Sequence, residues 1–264
     1  MKLSAYVDRA IALGMQCEKL SLAGLKAYKL MRHNTGVNSH YAIVIFENPD
    51  TGEVECYDKI VQCKVEYDEL PMYMAMTPGY GSVYIVPDNI TQFACSIDCC
   101  FNSIKQVKLI GGKGVTSLVA SFKNSYSLQS VDFSLFKPDR LYDLSSAFQY
   151  CTHLKYLDLT PLNLDHLTDI SDAFDGCVEL EYLKLPHVNE LAHMEYTFFS
   201  CRKLRELDLT NVGTHRLRNC DKAFYDCENL QTIKFNTIDK SKLDCMFDDT
   251  NTNKNRRIIV NSYI

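Results

Sequence analysis

The sequence predicts a repeat solenoid of the α/β class: a parallel sheet of short strands, each followed by a short helix, preceded by a small α+β region. Three observations carry this. Aliphatic residues open successive units at Ile104, Leu128, Leu154, Leu180, Leu204 and Leu230, at spacings of 24, 26, 26, 24 and 26 residues, and a fixed period of roughly 20–50 residues marks a stacked array. Each unit opens on LxxLxL or a close variant, whose alternation is that of a strand with one buried face. Apolar residues then recur at helical spacing, as in Leu144-Ala147-Phe148-Cys151 and Ile170-Ala173-Phe174-Cys177.

Taken in order, residues 1–34 read as helical, with a partial stripe at Tyr6, Ile11 and Leu13 and a second helix after Ser21 through Leu22, Leu25, Tyr28 and Leu30. Tyr41–Phe46 reads as a buried strand. Asn48–Gly52 has turn composition, and Val54–Tyr57 is the returning strand of a hairpin. Lys59–Tyr67 alternates as a further strand. Met72, Met74 and Met76 alternate with Tyr73 and Ala75, which fits a strand with core-facing methionines or an adaptable contact surface. The Pro78–Gly81 turn divides the chain into residues 1–82, of unknown type, and an array over 83–264. The array comprises an atypical opening repeat (83–103), repeats at 104–253 and a closing strand at 254–264, centred on Arg257–Val260.

Within a unit, Asp143, Asp169 and Asn219 stand where a side-chain oxygen caps free N–H groups. Phe122, Phe148, Phe174, Phe198, Phe224 and Phe247 line up as a stacked spine. The variable segment holding Pro138, Pro161 and Pro186 absorbs the two-residue difference in repeat length.

Composition narrows the function classes. Hydrophobic content of 46% and charge of 23% are those of an ordinary globular chain. A net charge of −5 and the absence of a long Lys/Arg block argue against nucleic acid as a partner. No run approaches the ~20 apolar residues of a membrane span. Asp8, Arg9 and Glu18 interrupt the start of the chain as no secretory signal allows, which predicts a cytoplasmic protein without membrane insertion.

Twelve cysteines raise the question of a disulfide framework. Four of them, Cys151, Cys177, Cys201 and Cys227, recur at one place in the unit, where cysteine serves as a small apolar filler. A metal ladder would need ligands converging on one ion. Cys95, Cys99 and Cys100 leave a metal or redox role open. The seven histidines share no repeat position, and no nucleophile or zinc-protease motif is present. Gly111-Gly112-Lys113-Gly114 lacks the second half of a phosphate-binding motif and reads as a turn. No catalytic, cofactor or metal residues are assigned.

The unit LxxLDLTxxNxxxLTDISxAFxxC, seen at 154–177, resembles the BspA-like class of leucine-rich repeats, in particular the repeat of mycoplasma and other bacterial lipoproteins. The resemblance covers about Ile104–Phe247. It implies a non-enzymatic protein associated with adhesion and protein binding, usually at a cell surface. The start of this sequence does not read as the signal peptide and lipobox cysteine of surface members, so the expectation taken from the resemblance is repeat-mediated binding and not surface adhesion.

The strand residues that the stack does not need are the candidate partner-binding set: Tyr156, Asp158, Tyr182, Lys184, Glu206 and Asp208, rimmed by Lys155, Glu181 and Arg205. Aromatic residues ringed by charge have the composition of an interaction hot spot. The alternative is that the charges only pair across strands. The expected function is a protein-binding scaffold. A structural, surface or virion attachment component and an enzyme or effector within residues 1–82 remain as alternatives.

Overall fold

The computed structural model describes residues 2–13, 15–22, 24–32, 42–65, 68–77, 81–86, 88–93, 104–247 and 257–263. Most of the second half of the opening repeat, Cys95, Cys99 and Cys100, and Pro78–Tyr80 of the boundary turn lie outside these residues.

Helix α1 (Leu3–Ala12) forms as expected, burying Leu3 and Ala10. The second helix does not. β1 (Met15–Leu22) and β2 (Leu25–Arg32) form an antiparallel hairpin, Leu22 facing Leu25, with Gly24 in the left-handed region. Along β1 only Leu20 and Leu22 are buried, a two-residue spacing. An apolar sheet face awaits those two leucines, and tertiary packing overrides the local period.

The hairpin over 42–65 is present, with β3 (Ala42–Glu47) paired to β4 (Val54–Val65). Asn48 Oδ1 accepts from the N–H groups of Asp50 and Thr51, which holds the turn. The strands expected at 54–57 and 59–67 are the single strand β4. β5 (Asp68–Thr77) contains the methionine run, whose side chains are outside the described set.

β5 then pairs antiparallel with β6 (Gly81–Val86), and β6 pairs parallel with β7 (Gln106–Gly111). One sheet therefore runs β1-β2-β3-β4-β5-β6-β7-β8, ending on β8 (Ser130–Phe136), and crosses from the amino-terminal strands into the repeats. It also folds back over itself. Leu20, Leu22, Ala27, Val44 and Phe46 pack against Val83, Ile85, Ile110 and Leu135 on the outward side of the first repeat strands. Ser21 fastens this edge, its hydroxyl donating to Asp88 at 2.7 Å and its carbonyl accepting from the Asp88 N–H.

The remaining strands are β9 (Tyr156–Asp158), β10 (Tyr182–Lys184), β11 (Glu206–Leu209), β12 (Thr232–Ile238) and β13 (Arg257–Tyr263). β9 and β10 are parallel in register, as are β11 and β12, and β13 closes on β12 as the closing strand was expected to.

The solenoid stands, but among the described residues its outer tract is helical only at α2 (Lys240–Met246). In each turn of the stack, residues alternate between two hydrogen bonds. Leu144, Ser146, Phe148 and Tyr150 donate to the carbonyls of Asp169, Ser171, Ala173 and Asp175 in the next repeat. Ala147, Gln149 and Cys151 instead close turns three residues back.

Left-handed residues recur two before and two after Phe122, Phe148, Phe174, Phe198 and Phe224: Ala120 and Asn124, Ser146 and Tyr150, Asp172 and Gly176, Tyr196 and Ser200, Lys222 and Asp226. Each interrupts helix propagation and costs about 1–2 kcal/mol when not glycine. Bonding between repeats offsets that cost. The apolar period is near the helical one because the successive turns each span about four residues.

The phenylalanine spine forms as expected, with ring centroids 5.1 Å apart for Phe122–Phe148 and 5.2 Å for Phe224–Phe247. Phe93 extends it by one ring, 5.9 Å from Phe122. The thiols of Cys151, Cys177, Cys201 and Cys227 donate to the carbonyls of Phe122, Phe148, Phe174 and Phe198 at 3.0–3.2 Å. Burial pushes the first three thiols well up from the ordinary value, so they stay protonated.

A candidate binding face on the repeat sheet

The strand pattern sends Leu157, Leu183 and Leu207 into the core and leaves their neighbours on the open side. Parallel pairing places Tyr156 beside Tyr182 and Asp158 beside Lys184. The next pair of strands places Glu206 beside Thr232 and Asp208 beside Lys234. All six candidate residues thus lie on one face.

Tyr156 and Tyr182 are 44% and 48% exposed, and their rings stack at 5.4 Å with 4° between planes. Parallel aromatic pairs at this separation contribute about 0.5–1.5 kcal/mol beyond burial, which holds the rings in place without a core around them. The Lys184 ammonium lies 5.9 Å from the Tyr182 ring centre.

The charges divide into two kinds. Lys184 pairs with Asp158 at 3.9 Å and Lys234 with Asp208 at 3.7 Å, the cross-strand pairing that solubility alone would favour. Asp158 and Asp208 also close turns. Their Oδ1 atoms accept from the N–H and hydroxyl of Thr160 and of Thr210.

The Thr210 hydroxyl bond holds the Asp208 carboxyl below its usual range. For Asp158, partial burial works the other way, but bonds from Thr160 and Tyr156 and the charge of Lys184 outweigh it. These two carboxylates therefore serve the fold whatever else they do. Glu206 differs: its exposed carboxylate makes no side-chain hydrogen bond or ion pair among the described residues. It borders a groove of about 420 Å³ between β10 and β11 that Tyr182, Lys184, Asp208, Thr210 and Lys234 also line.

Further toward the amino terminus the same face is occupied. Lys108, at the position equivalent to Lys184, pairs with Glu55 of β4 at 3.1 Å. The signal for this cover is in the sequence. Ile110 and Leu135 are apolar at outward places, and the repeat pattern alone does not explain them.

Exposed tyrosines at 126, 142, 150 and 196 lie outside the strands and were not expected as site residues. Tyr150 rests on Gly176, where a Cβ would come within 2.3 Å of its ring. Gly111-Gly112-Lys113-Gly114 is a turn. A Cβ at Gly111 would meet the Val86 carbonyl oxygen at 2.4 Å and one at Gly114 that of Asp88 at 2.1 Å, so close backbone approach accounts for these glycines. Among the described residues no cluster of histidine, cysteine and carboxylate side chains is placed to hold a metal ion, and no helix is long and apolar enough to cross a membrane.

Stacked parallel strands opening on leucine, a buried phenylalanine spine and an open strand face define a leucine-rich-repeat scaffold. The chain belongs to the family of the BspA-type leucine-rich-repeat region, whose profile matches six copies over residues 86–192 and 119–253. No curated protein matches it. Among solved structures it is similar to a leucine-rich cell surface protein from Faecalibacterium prausnitzii A2-165, with 12% identity and a TM-score of 0.35. That match covers 75% of this chain and 51% of the other, so the chain spans about half the length of that protein.

Proposed function

We propose that this chain is a non-enzymatic binding scaffold, cytoplasmic in location, that seats a protein partner on the strand face centred on Tyr156 and Tyr182. The exposed, mutually stacked tyrosine pair carries this reading. Rings already ordered by stacking lose little side-chain entropy when a partner covers them, so more of the contact energy reaches affinity. Lys184, Glu206 and Asp208 supply a polar surround, and the unmatched Glu206 carboxylate suits a basic group on the partner.

The test compares the wild-type chain with a Tyr156→Ala/Tyr182→Ala variant in affinity capture from native lysate, read by mass spectrometry. Both side chains are solvent-facing, so the variant is expected to lose a captured protein while its melting temperature falls only by the share of the ring stack, about 1–6 °C. Capture of the same proteins by both chains would remove this face from consideration.

Family membership favours a second reading, a structural or surface attachment component. Cell fractionation separates the two, because recovery in cytosol alone counts against attachment.

A further inference from the structure

We propose that Cys220 and Cys245 are a redox-responsive pair that closes to an intramolecular disulfide and fastens the last helix of the array to the repeat beneath it. Their sulfurs lie 2.9 Å apart, closer than unbonded sulfurs ordinarily approach. Cys220 occupies the inward place that Leu144, Ile170 and Met194 fill in earlier repeats, and Cys245 projects from α2.

The backbones on either side of the pair are already joined. Lys222 N–H donates to the Cys245 carbonyl at 2.8 Å and Phe224 N–H to the Met246 carbonyl at 3.0 Å. The two chains are therefore held together beside the sulfurs, so a bond between them asks little of the backbone.

The hydrogen bonding of this pair also differs from that of the buried ladder. Cys151, Cys177, Cys201 and Cys227 each have a main-chain carbonyl of their own. Cys220 and Cys245 share one acceptor, the Lys242 carbonyl, at 3.6 and 3.2 Å. With one thiol donating to that oxygen, the other is left to donate to its neighbour's sulfur, so the two sulfurs are directed at each other as no two members of the ladder are. Cys220 is fully buried and Cys245 half-buried, so a reagent from solvent meets Cys245 first.

With a low-molecular-weight disulfide such as oxidised glutathione as oxidant, the Cys245 thiolate attacks one glutathione sulfur and expels the other as a thiolate. The Cys220 sulfur then attacks the Cys245 sulfur of this mixed disulfide, giving up its proton and releasing the second glutathione thiolate. The protein dithiol loses two electrons and two protons, and the oxidant becomes two glutathione thiols. Burial raises the Cys220 thiol, so Cys245 is the sulfur that reacts first with the oxidant, and Cys220 acts only as the resolving sulfur, its proton passing to the departing glutathione thiolate.

The experiment treats the reduced full-length chain with oxidised glutathione under native conditions, blocks free thiols by alkylation, and maps peptides by mass spectrometry. A Cys220–Cys245 linked peptide is expected. Because the two residues are 25 apart in sequence, closing that loop should raise the melting temperature by roughly 5–10 °C, reversibly with dithiothreitol. The half-buried Cys245→Ser should show neither link nor shift.

Two outcomes overturn the proposal. One is recovery of Cys220 as free thiol with glutathione retained on Cys245. The other is recovery of both as free thiols while the exposed Cys56 has reacted.

Discussion

Truncating Phe174 to alanine tests the stacking argument where it bears most. The ring is 2% exposed, with Phe148 at 5.6 Å on one side and Phe198 at 5.4 Å on the other, both near parallel. Loss of a buried phenylalanine costs about 3–5 kcal/mol, the spread reflecting how far the site collapses. Strands on one side and hydrogen-bonded turns on the other hold this site open, so collapse is limited and about 4 kcal/mol is expected. That is a large share of the ~5–15 kcal/mol that holds a typical domain together.

In a stack with nearest-neighbour coupling the loss weakens two junctions. Phe247, half-buried on the last turn, should cost about 1–2 kcal/mol by the same change. The chain has no tryptophan and 16 tyrosines, so urea unfolding is followed by tyrosine fluorescence alongside circular dichroism. The expected fall in melting temperature is about 8–16 °C for Phe174→Ala. A cost below about 1.5 kcal/mol, or one no greater than that of Phe247→Ala, would refute the spine as a source of cooperativity.

Two further outcomes follow from the same geometry. Burial raises the thiols of Cys151, Cys177 and Cys201 in the folded chain, so their contribution is complete below the unfolded value near pH 8.5. As pH rises above that value the unfolded chain sheds these protons first. Stability should then fall by about 1 kcal/mol per cysteine between pH 8 and 9.5, read from urea midpoints, and replacing the three with alanine should flatten the slope. Gly176→Ala should destabilise by about 1–2 kcal/mol, because the left-handed backbone and the Tyr150 ring both oppose a Cβ. Adding Tyr150→Ala should recover only the steric part, and full recovery would show that the backbone conformation carries no strain.

The repeat was legible because stacking demands the same residue types at the same places. Leu154, Leu157, Ile170, Ala173, Phe174 and Cys177 recur in kind, and the structure buries all six. The departure at Thr197, where the units of Phe148, Phe174 and Phe224 have alanine, is explained only by coordinates: its hydroxyl donates to the Ile170 carbonyl at 2.9 Å. The turn tract carries a helical apolar period because a three- and four-residue spacing also results from turns ended by left-handed residues. No residue type marks those places, which hold serine, aspartate, tyrosine and lysine alike. The β1–β2 hairpin was hidden because the face that orders Leu20 and Leu22 lies more than sixty residues downstream, on β6 and β7.

The same long-range packing bears on where a partner can sit. The amino-terminal strands cover the outward side of β6 and β7, and Glu55 takes the charge of Lys108. The strand face is therefore not uniform along the array. Its open portion includes β9–β11, where the tyrosine pair stands.

Within that portion Asp158 and Asp208 close turns through Thr160 and Thr210 and pair with lysines. Their substitution would perturb strand ends as well as any interface. Tyr182 and Glu206 close no turn, and Tyr156 contributes only a hydroxyl bond to Asp158 at 3.2 Å. Of the six candidates these three separate binding from folding, and a partner that engages this face should discriminate among chains chiefly through them.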